Sequence, residues 1–183
     1  CFWEDTTMHK VLVTGANGFI GSHLLDLLLQ DDFDVTIIKR STSDTHRIER
    51  HLTSIRIFDM DKIALEEIFS ESTFNTVIHL ATCYIKKDAE ANLKKMYAFN
   101  VDFAKQLLNL SIENKVQKFI NTSSYFQYSP DILPMTESNQ YFPFNEYAKT
   151  KTIFQQYLRT FAAHLNIYDF ILFSPYGPRD NDK

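Results

Sequence analysis

Val13-Thr14-Gly15-Ala16-Asn17-Gly18-Phe19-Ile20-Gly21 holds three of the four glycines in a chain of 183 residues. The stretch follows the apolar residues 11–13 and precedes apolar residues at helical spacing. Because glycine has no Cβ, it permits a tight turn, close approach of the backbone to a ligand and close packing of a helix on a strand. A helix that starts there directs its unpaired N–H groups and positive dipole end at the turn. The stretch therefore predicts a strand-to-helix turn that binds the diphosphate of a dinucleotide.

Strand-like and helical patterns alternate along the rest of the chain. Apolar runs rich in β-branched and aromatic residues predict strands at residues 11–13, 35–38, 55–58, 77–80, 119–120 and 170–173. Helical spacing of apolar residues lies between them, in segments 20–28, 63–69, 99–110 and 153–161. Such alternation implies parallel pairing with right-handed crossovers. We therefore expect an α/β fold with a doubly wound parallel sheet of the Rossmann type, and a loop at the turn-rich residues 129–143.

The composition excludes several classes of function. Hydrophobic residues make up 44% and charged residues 23% of the chain, which is ordinary for one globular domain. The net charge of -4 argues against nucleic acid as a partner, since phosphate binding needs a basic face. No apolar stretch is long enough to predict a membrane span, and the six histidines show no metal-ligand spacing. Two cysteines, Cys1 and Cys83, form no disulfide framework, so we expect a reducing, cytoplasmic location.

The two ends of the chain differ from its middle. Residues 1–7 are polar and acidic, without the basic and apolar regions of a signal peptide, and we interpret them as a tail. Only two residues separate Met8 from the first predicted strand, so the Rossmann domain is expected to cover residues 8–183. The origin of the tail stays open.

The end of the second predicted strand, Lys39-Arg40, bears on which dinucleotide binds. In dinucleotide-binding folds an acidic residue about 20 positions beyond the glycines usually bonds the adenosine ribose. That place holds no acid here. A carboxylate would repel a 2′-phosphate, whereas the planar guanidinium of Arg40 can bond one. NADP(H) is therefore favoured, with NAD(H) as the alternative and with solvated loop charges as the other reading of both side chains.

The chain resembles one protein family. Residues 14–21 are similar to the cofactor fingerprint of extended short-chain dehydrogenases/reductases, and within these to the NAD-dependent epimerase/dehydratase family, which modifies nucleotide-activated sugars. The similarity extends over about residues 10–180. It implies an NAD(P)-dependent oxidoreductase that reduces a 4-keto-sugar or epimerises a sugar by hydride transfer. Which nucleotide-sugar it takes, and which of the two reactions it catalyses, stays open.

Tyr147-Ala148-Lys149-Thr150-Lys151 matches the Tyr-x-x-x-Lys motif of that family. Helix positions four apart share a face, so Tyr147 and Lys151 can reach one ligand. Free tyrosine has a pKa of about 10, and we expect a nearby ammonium, together with an oxidised nicotinamide ring, to lower the pKa of the Tyr147 phenol. Tyr147 can then exchange a proton with a sugar hydroxyl while hydride moves. The other reading of Tyr147 is an ordinary aromatic residue on a helix surface.

The resemblance implies further site residues. Ser124, with Thr122 and Ser123 as substitutes, matches the serine that bonds the reacting oxygen, and Asn100 matches an asparagine of the catalytic network. Asp59 matches the acid that contacts adenine, and Lys151 also bonds the nicotinamide ribose. The expected cofactor-binding residues are Gly15, Asn17, Gly18, Phe19, Ile20, Gly21, Lys39, Arg40, Asp59, Met60, Leu80, Ala81, Thr82, Asn100, Thr122, Tyr147 and Lys151.

Some residues depart from the family pattern. Sugar 4,6-dehydratases carry Asp-Glu directly after the serine, where this chain has Tyr125 and Phe126, which cannot perform that proton transfer. The dehydratase branch is therefore disfavoured. Ser174 replaces the asparagine that normally precedes Pro175 in a segment that contacts substrate. We interpret His79 as a packed residue.

The resemblance also implies partners. These are a nucleotide-sugar substrate and a second copy of the chain, packed through the helices that carry Asn100 and Tyr147. Family members continue with a region that holds the nucleotide-sugar, and this chain stops where that region is expected to begin, so the substrate region is expected to be largely missing. The alternatives are a catalytically silent NAD(P)-binding module for interaction or redox sensing, and an inactive fragment of such an enzyme.

Overall fold

Six parallel strands form one sheet at the centre of the computed structural model, which describes residues 8–85 and 90–180. They are β1 (Lys10–Thr14), β2 (Asp34–Lys39), β3 (Arg56–Asp59), β4 (Thr76–His79), β5 (Lys118–Ser124) and β6 (Asn166–Leu172). The strands lie in the order β3-β2-β1-β4-β5-β6, and every neighbouring pair is parallel. Parallel neighbours need crossover connections, which are usually helices.

Helices cover both faces of the sheet. The α-helices are α1 (Phe19–Gln30), α2 (Leu65–Glu71), α3 (Glu90–Tyr97), α4 (Ala104–Glu113) and α5 (Glu146–Arg159). Side chains of α2, α4 and α5 pack on one face around Leu12 and Phe119, and α1 packs on the other around Val13 and Val35. This arrangement confirms the expected doubly wound α/β fold. Within residues 8–85 and 90–180, no helix has the length and apolar character needed to cross a membrane.

In the described part of the chain, one π-helical turn and two 3₁₀ turns lie between the strands and α-helices. A π-helical turn, Ala98–Phe103, joins α3 to α4, and 3₁₀ turns lie at His46–His51 and Tyr125–Gln127. Neither His46–His51 nor α3 was predicted from the sequence. Each buries a single side chain, Ile48 in the first and Met96 in the second, so neither shows an apolar period.

Two strands extend beyond the apolar runs that predicted them. β5 runs to Ser124, past the predicted residues 119–120, and β6 begins at Asn166 rather than at residue 170. Polar or exposed residues alternate with the others in both strands, so no continuous apolar run marks their length. The longer register pairs Asn121 with Asp169 beneath the site described below.

The turn-rich stretch is a loop, as expected. Residues 129–143 contain no helix or strand, and an isolated antiparallel bridge between Tyr128 and Tyr141 closes the base of the loop. The expected tail, residues 1–7, lies outside the described residues.

The strand order reverses beside β1, and this reversal places the site. β1 pairs with β2 on one side and with β4 on the other. Connections leave the two strands towards opposite faces there, which opens a crevice at their carboxyl ends. Thr14 and His79 are the last residues of β1 and β4, so the glycine turn and residues 80–82 both begin at this crevice.

Candidate active site

The glycine turn is held by contacts that leave no room for side chains. Gly15 has a φ of 76°, and a Cβ there would lie 2.7 Å from the backbone nitrogen of Ala81. A Cβ on Gly21 would lie 2.1 Å from the carbonyl oxygen of Gly15. The turn is closed by the N–H of Gly18, which donates to the oxygen of Gly15 at 3.0 Å. These contacts bring the start of α1 against β1 and the residues after β4.

The N-terminus of α1 points into a cleft of about 950 Å³. Gly18 is the N-cap and supplies no side-chain bond to the first-turn N–H groups, so these groups can bond a ligand. A glycine cradle, a helix N-terminus and a cleft of this size fit the diphosphate and the two nucleosides of a dinucleotide. The predicted residues that line the cleft are Gly15, Asn17, Gly18, Phe19, Ile20, Gly21, Lys39, Arg40, Met60, Leu80, Ala81, Thr82, Thr122, Ser124, Tyr147 and Lys151.

Asp59 does not line the cleft, and its carboxylate has another role. It accepts a hydrogen bond from the Ser41 hydroxyl at 2.6 Å, and this bond, opposed by desolvation, holds its pKa below the ordinary value. Asp61 accepts from the backbone N–H of Ser41 at 2.7 Å. The two carboxylates therefore brace the loop after β2 from beneath. Asp59 was expected from the resemblance to contact adenine, and its bond to Ser41 and the contribution of Asp61 were not predicted from the sequence.

Arg40 lies exposed at the rim of the cleft. Its guanidinium carbon is 5.9 Å from the ring centroid of Phe99, and the Lys39 ammonium donates to its carbonyl oxygen at 3.3 Å. Lys39 and Arg40 thus supply positive charge where the loop after β2 borders the cleft. Asp59 and Asp61 offset part of that charge.

Asn100 lies behind the cleft rather than on its wall. The π-helical turn buries this residue, which is only 3% exposed. Its side-chain oxygen accepts from the Cys83 N–H at 2.7 Å, and its amide donates to the Cys83 carbonyl at 2.9 Å and to the Thr150 hydroxyl at 3.0 Å. Asn100 therefore ties the segment after β4 to α5 and holds Thr82 against the site.

Tyr147 and Ser124 meet at the mouth of the cleft. Asn145 caps α5 by accepting from the Ala148 N–H at 2.7 Å, which places Tyr147 in the first turn of the helix. Burial raises the pKa of the Tyr147 phenol, while the polar hydroxyls of Thr82 and Ser124 beside it oppose that rise. Without a dinucleotide, loss of water outweighs the polar contacts, and the expected lowering of this pKa by an ammonium together with an oxidised nicotinamide ring stays a prediction.

Lys151 lies one turn further along α5 and is almost fully buried, with 5% of its surface exposed. Burial lowers the pKa of its ammonium to about 8, and the Asp169 carboxylate partly opposes this shift. Burial, and then the charge of Lys151, lower the pKa of His79 to about 3. His79 is thus neutral, and its Nδ1 shares a hydrogen bond of 2.8 Å with the Thr14 hydroxyl. This agrees with the interpretation of His79 as a packed core residue.

Aromatic rings pack against the Tyr147 ring, which was not predicted from the sequence. The Tyr84 ring lies edge-on to the Tyr147 ring at 5.0 Å between centroids, and the Phe126 ring does so at 6.3 Å. Tyr125 stacks on Phe173 at 5.3 Å. These residues come from separated segments, so no local pattern in the sequence marks them as neighbours.

The segment after β6 returns to α1. Arg179 bonds the Asp26 carboxylate at 2.5 Å and the Ser22 carbonyl at 3.1 Å, and His23 bonds the Pro178 carbonyl at 2.8 Å. This anchorage brings Ser174 and Pro175 to the cleft wall, as the motif implied for this segment. Tyr176 is 90% exposed and lies off the cleft. Among the described residues, no His, Cys, Asp or Glu side chains form a group able to hold a metal ion.

Comparison with known proteins agrees with this geometry. The model of the NAD dependent epimerase/dehydratase family matches residues 11–183. UDP-glucose 4-epimerase of Caenorhabditis elegans is 31% identical over an alignment of 170 residues, and the match covers 82% of this chain and 48% of that protein. The structure of UDP-glucose 4-epimerase from Thermotoga maritima with UDP-glucose has a TM-score of 0.83 and 26% identity, and the match covers 94% of this chain and 58% of that one.

A third relative bears on the cofactor. The structure of UDP-glucuronic acid 4-epimerase from Bacillus cereus in complex with NAD has a TM-score of 0.80 and 26% identity, covering 93% of this chain and 58% of that one. The family description and this structure both name NAD, so the preference for NADP(H) stays a prediction. The chain spans about half the length of the curated relatives it matches.

The buried ammonium of Lys151 predicts a pH dependence of stability. Its pKa falls from 10.5 to about 8 on folding, so between these pH values the unfolded chain binds more protons than the folded one. Stability must therefore rise with pH in this window, on the order of 2 kcal/mol. Urea unfolding of wild type and Lys151→Met between pH 7 and pH 10 measures the difference, in which other titrations cancel.

The control is Lys10→Met, which removes an exposed lysine at the start of β1. Its stability should run parallel to that of wild type through the whole pH range. If the free energy of unfolding of Lys151→Met also changes with pH as that of wild type does, the Lys151 ammonium is not desolvated as described.

Proposed function

The chain belongs to the NAD dependent epimerase/dehydratase family, and from this premise we propose that the protein moves hydride at a carbon of a nucleotide-activated sugar, with Tyr147 as the acid/base. The observation that carries the proposal is the set of hydroxyls at the cleft mouth. The hydroxyls of Thr82 and Ser124 line the cleft beside the Tyr147 phenol and act on its pKa, and Lys151 follows one turn later on the same helix. A silent binding module has no need of this set.

The residues that would hold the dinucleotide lie along the cleft in order. Gly15, Gly18 and the first turn of α1 would bind the diphosphate, and the loop after β2 would receive the adenosine end. Lys151 would bond the ribose at the nicotinamide end, beside Tyr147. When bound, the dinucleotide accepts a hydride from the sugar carbon or delivers one to it.

Tyr147 exchanges the accompanying proton. Since burial raises the pKa of its phenol, the side chain is protonated at neutral pH and suited to donate to a carbonyl oxygen as that oxygen becomes a hydroxyl. In the opposite direction the phenolate form of Tyr147, which the positive charge of an oxidised nicotinamide ring would favour, takes the proton from the sugar hydroxyl. Ser124 bonds the same oxygen and stabilises the charge that develops there. Lys151, with a pKa of about 8, contributes a positive charge at neutral pH.

Epimerisation at C4 is the reaction that the relatives support, because those compared above are named 4-epimerases. In this reaction the sugar is oxidised and reduced again, so the protein performs both proton transfers with one tyrosine. Reduction of a 4-keto-sugar is the second candidate, and Arg40 favours it, since a guanidinium at the adenosine end suits dissociable NADP(H). Tyr125 and Phe126 after Ser124 disfavour dehydration.

Assembly and location stay part of the proposal. The helices carrying Asn100 and Tyr147 are the surface through which a homodimer is proposed. The absence of a disulfide framework from the sequence supports the proposed cytoplasmic location.

Tyr147→Phe tests the proposed chemistry. The intact protein is screened against UDP-glucose, UDP-galactose and other nucleotide-sugars, with epimer formation and reduced cofactor followed together. Because the variant keeps the ring and loses only the hydroxyl, turnover should fall roughly 10²–10⁴-fold while NAD⁺ affinity stays within about threefold of wild type.

Tyr157→Phe is the matched control, since Tyr157 lies on the same helix and its hydroxyl donates to Asn109 outside the cleft. It should keep wild-type turnover. Activity retained by Tyr147→Phe would remove Tyr147 as the acid/base.

Arg40→Ala tests the preference for NADP(H). Calorimetry should show tighter binding of NADP⁺ than of NAD⁺ to the wild type, because the guanidinium bonds the 2′-phosphate. A charge-assisted bond is worth about 1.5–3 kcal/mol, so the variant should lose roughly tenfold or more in NADP⁺ affinity and keep its NAD⁺ affinity.

The control for this series is Arg56→Ala, which removes an arginine at the opposite, amino end of β3. It should leave both affinities unchanged. Equal or reversed wild-type affinities for the two dinucleotides would contradict the role given to Arg40 and leave NAD as the cofactor.

A further inference from the structure

Asp169 is an acidic residue in the otherwise mostly apolar strand β6, and the chemistry proposed above does not use it. It lies half-buried beneath the catalytic residues, where the register of β5 and β6 sets it opposite Asn121. A carboxylate removed from water is costly unless other groups satisfy it. Its position against α5 therefore calls for a structural reason.

Three donors converge on this carboxylate. One oxygen accepts from the Asn121 amide at 2.7 Å and from the Ser123 hydroxyl at 2.7 Å. The other oxygen accepts from the Gln155 amide on α5. Asn121, Ser123 and Gln155 are all at most 3% exposed, so the donors are fixed in place by the core.

A one-way chain of hydrogen bonds leads from this carboxylate to the catalytic serine. The Ser124 N–H donates to the Gln127 side-chain oxygen at 2.9 Å, and the Gln127 amide donates to the Gln155 oxygen at 2.8 Å. The Gln155 amide then donates to Asp169. A backbone N–H can only donate and a carboxylate can only accept, so the two ends fix the orientation of both glutamine amides.

The same carboxylate lies against the helix face that carries Lys151, because Lys151 and Gln155 are one turn apart on α5 and Gln155 bonds Asp169. The titratable groups that interact with the Lys151 ammonium are Asp169 from β6 and His79 from β4, and His79 is neutral above a pH of about 3. Tyr147 on the same helix is a protonated phenol at neutral pH. Asp169 is therefore the negative charge that favours the ammonium form of Lys151 among the described residues.

We propose that Asp169 is a positioning residue of the active site, which fixes the Ser124 backbone through Gln155 and Gln127 and holds Lys151 in its charged form. The proposal rests on the function proposed above, because it gives Ser124 and Lys151 catalytic and cofactor-binding roles. It assigns the two effects to separable features of one side chain, its charge and its hydrogen bonds.

Asp169→Asn tests the effect of the charge. The oxygen of the introduced amide can still accept from Gln155, and a flipped Asn121 amide can accept from its nitrogen, since the Asn121 side-chain oxygen is buried without a partner. The Lys151 side-chain carbon signal is titrated by nuclear magnetic resonance, with Lys151→Met providing the assignment. The midpoint should fall by about one pH unit or more, a tenfold change in proton affinity, when the opposite charge is removed. Asp34→Asn, which replaces an exposed carboxylate at the start of β2, should leave it unchanged.

Gln155→Met tests the hydrogen-bond chain by itself. The side chain keeps its length and loses both polar atoms, so the Gln127 amide loses its partner and no longer holds the Ser124 N–H. Exchange of the Ser124 amide hydrogen should accelerate at least tenfold. The proton affinity of Lys151, read from its titration midpoint, should stay within a factor of two of wild type. Gln156→Met, at the exposed neighbour on α5, should change neither.

The two readouts decide the proposal without any assay of turnover. A Lys151 midpoint in Asp169→Asn that matches wild type overturns the charge effect, and unchanged Ser124 exchange in Gln155→Met overturns the chain. If Asp169→Asn does not fold, Gln155→Met still tests the chain because it leaves the carboxylate in place. Loss of sugar chemistry in the Tyr147→Phe series would not alter either result, so failure of the proposed function is distinguished from failure of this inference.

Discussion

The close contact between the backbones of Gly15 and Gly21 is the constraint on which the rest of the structure depends. No Cβ fits at either residue: at Gly21 it would meet the carbonyl oxygen of Gly15, and at Gly15 the backbone of Ala81. Three segments, the end of β1, the start of α1 and the residues after β4, therefore approach one another at backbone distance. The cleft opens at this point because the sheet order reverses between β2 and β4. The segment after β6 then returns to α1 through Arg179 and Asp26.

A second set of constraints fixes the opposite side of the cleft. Asn100, on the π-helical turn, satisfies both the N–H and the carbonyl of Cys83 and also bonds Thr150 on α5. π-Helical turns are rare in proteins, and those that occur are often found at functional sites. This one directs the Asn100 side chain between the segment after β4 and α5. The helix that carries Tyr147 and the segment that carries Thr82 are thereby held together. Burial of Lys151 and of the Tyr147 phenol follows from the same packing, and it sets the direction of both pKa shifts.

The sequence predicted the parts of this architecture that local patterns encode. The glycine spacing and the alternation of strand and helix patterns predicted the doubly wound sheet. The i,i+4 spacing of Tyr147 and Lys151 predicted that both lie on one face of a helix. What depends on contacts between distant segments was not predictable. Asp59 braces Ser41 across a gap of 18 residues, which the sequence did not predict, and its contact with adenine stays a prediction. The role of Asp169 depends on the register of β5 and β6, although Gln155, four residues after Lys151, gave a local signal that this helix face is polar.

Gly18→Ala is the substitution that tests whether the glycine turn binds a dinucleotide. Gly18 has extended backbone angles that any residue adopts, and a Cβ there would meet only the Gly15 oxygen, at 3.2 Å. The fold should therefore survive at a cost of about 1 kcal/mol, whereas the new methyl group would block approach of a diphosphate to the helix N-terminus. Calorimetric titration with NAD⁺ should show at least tenfold weaker binding to the folded variant than to wild type. Equal affinity in a folded Gly18→Ala protein would show that the glycine turn does not bind the dinucleotide.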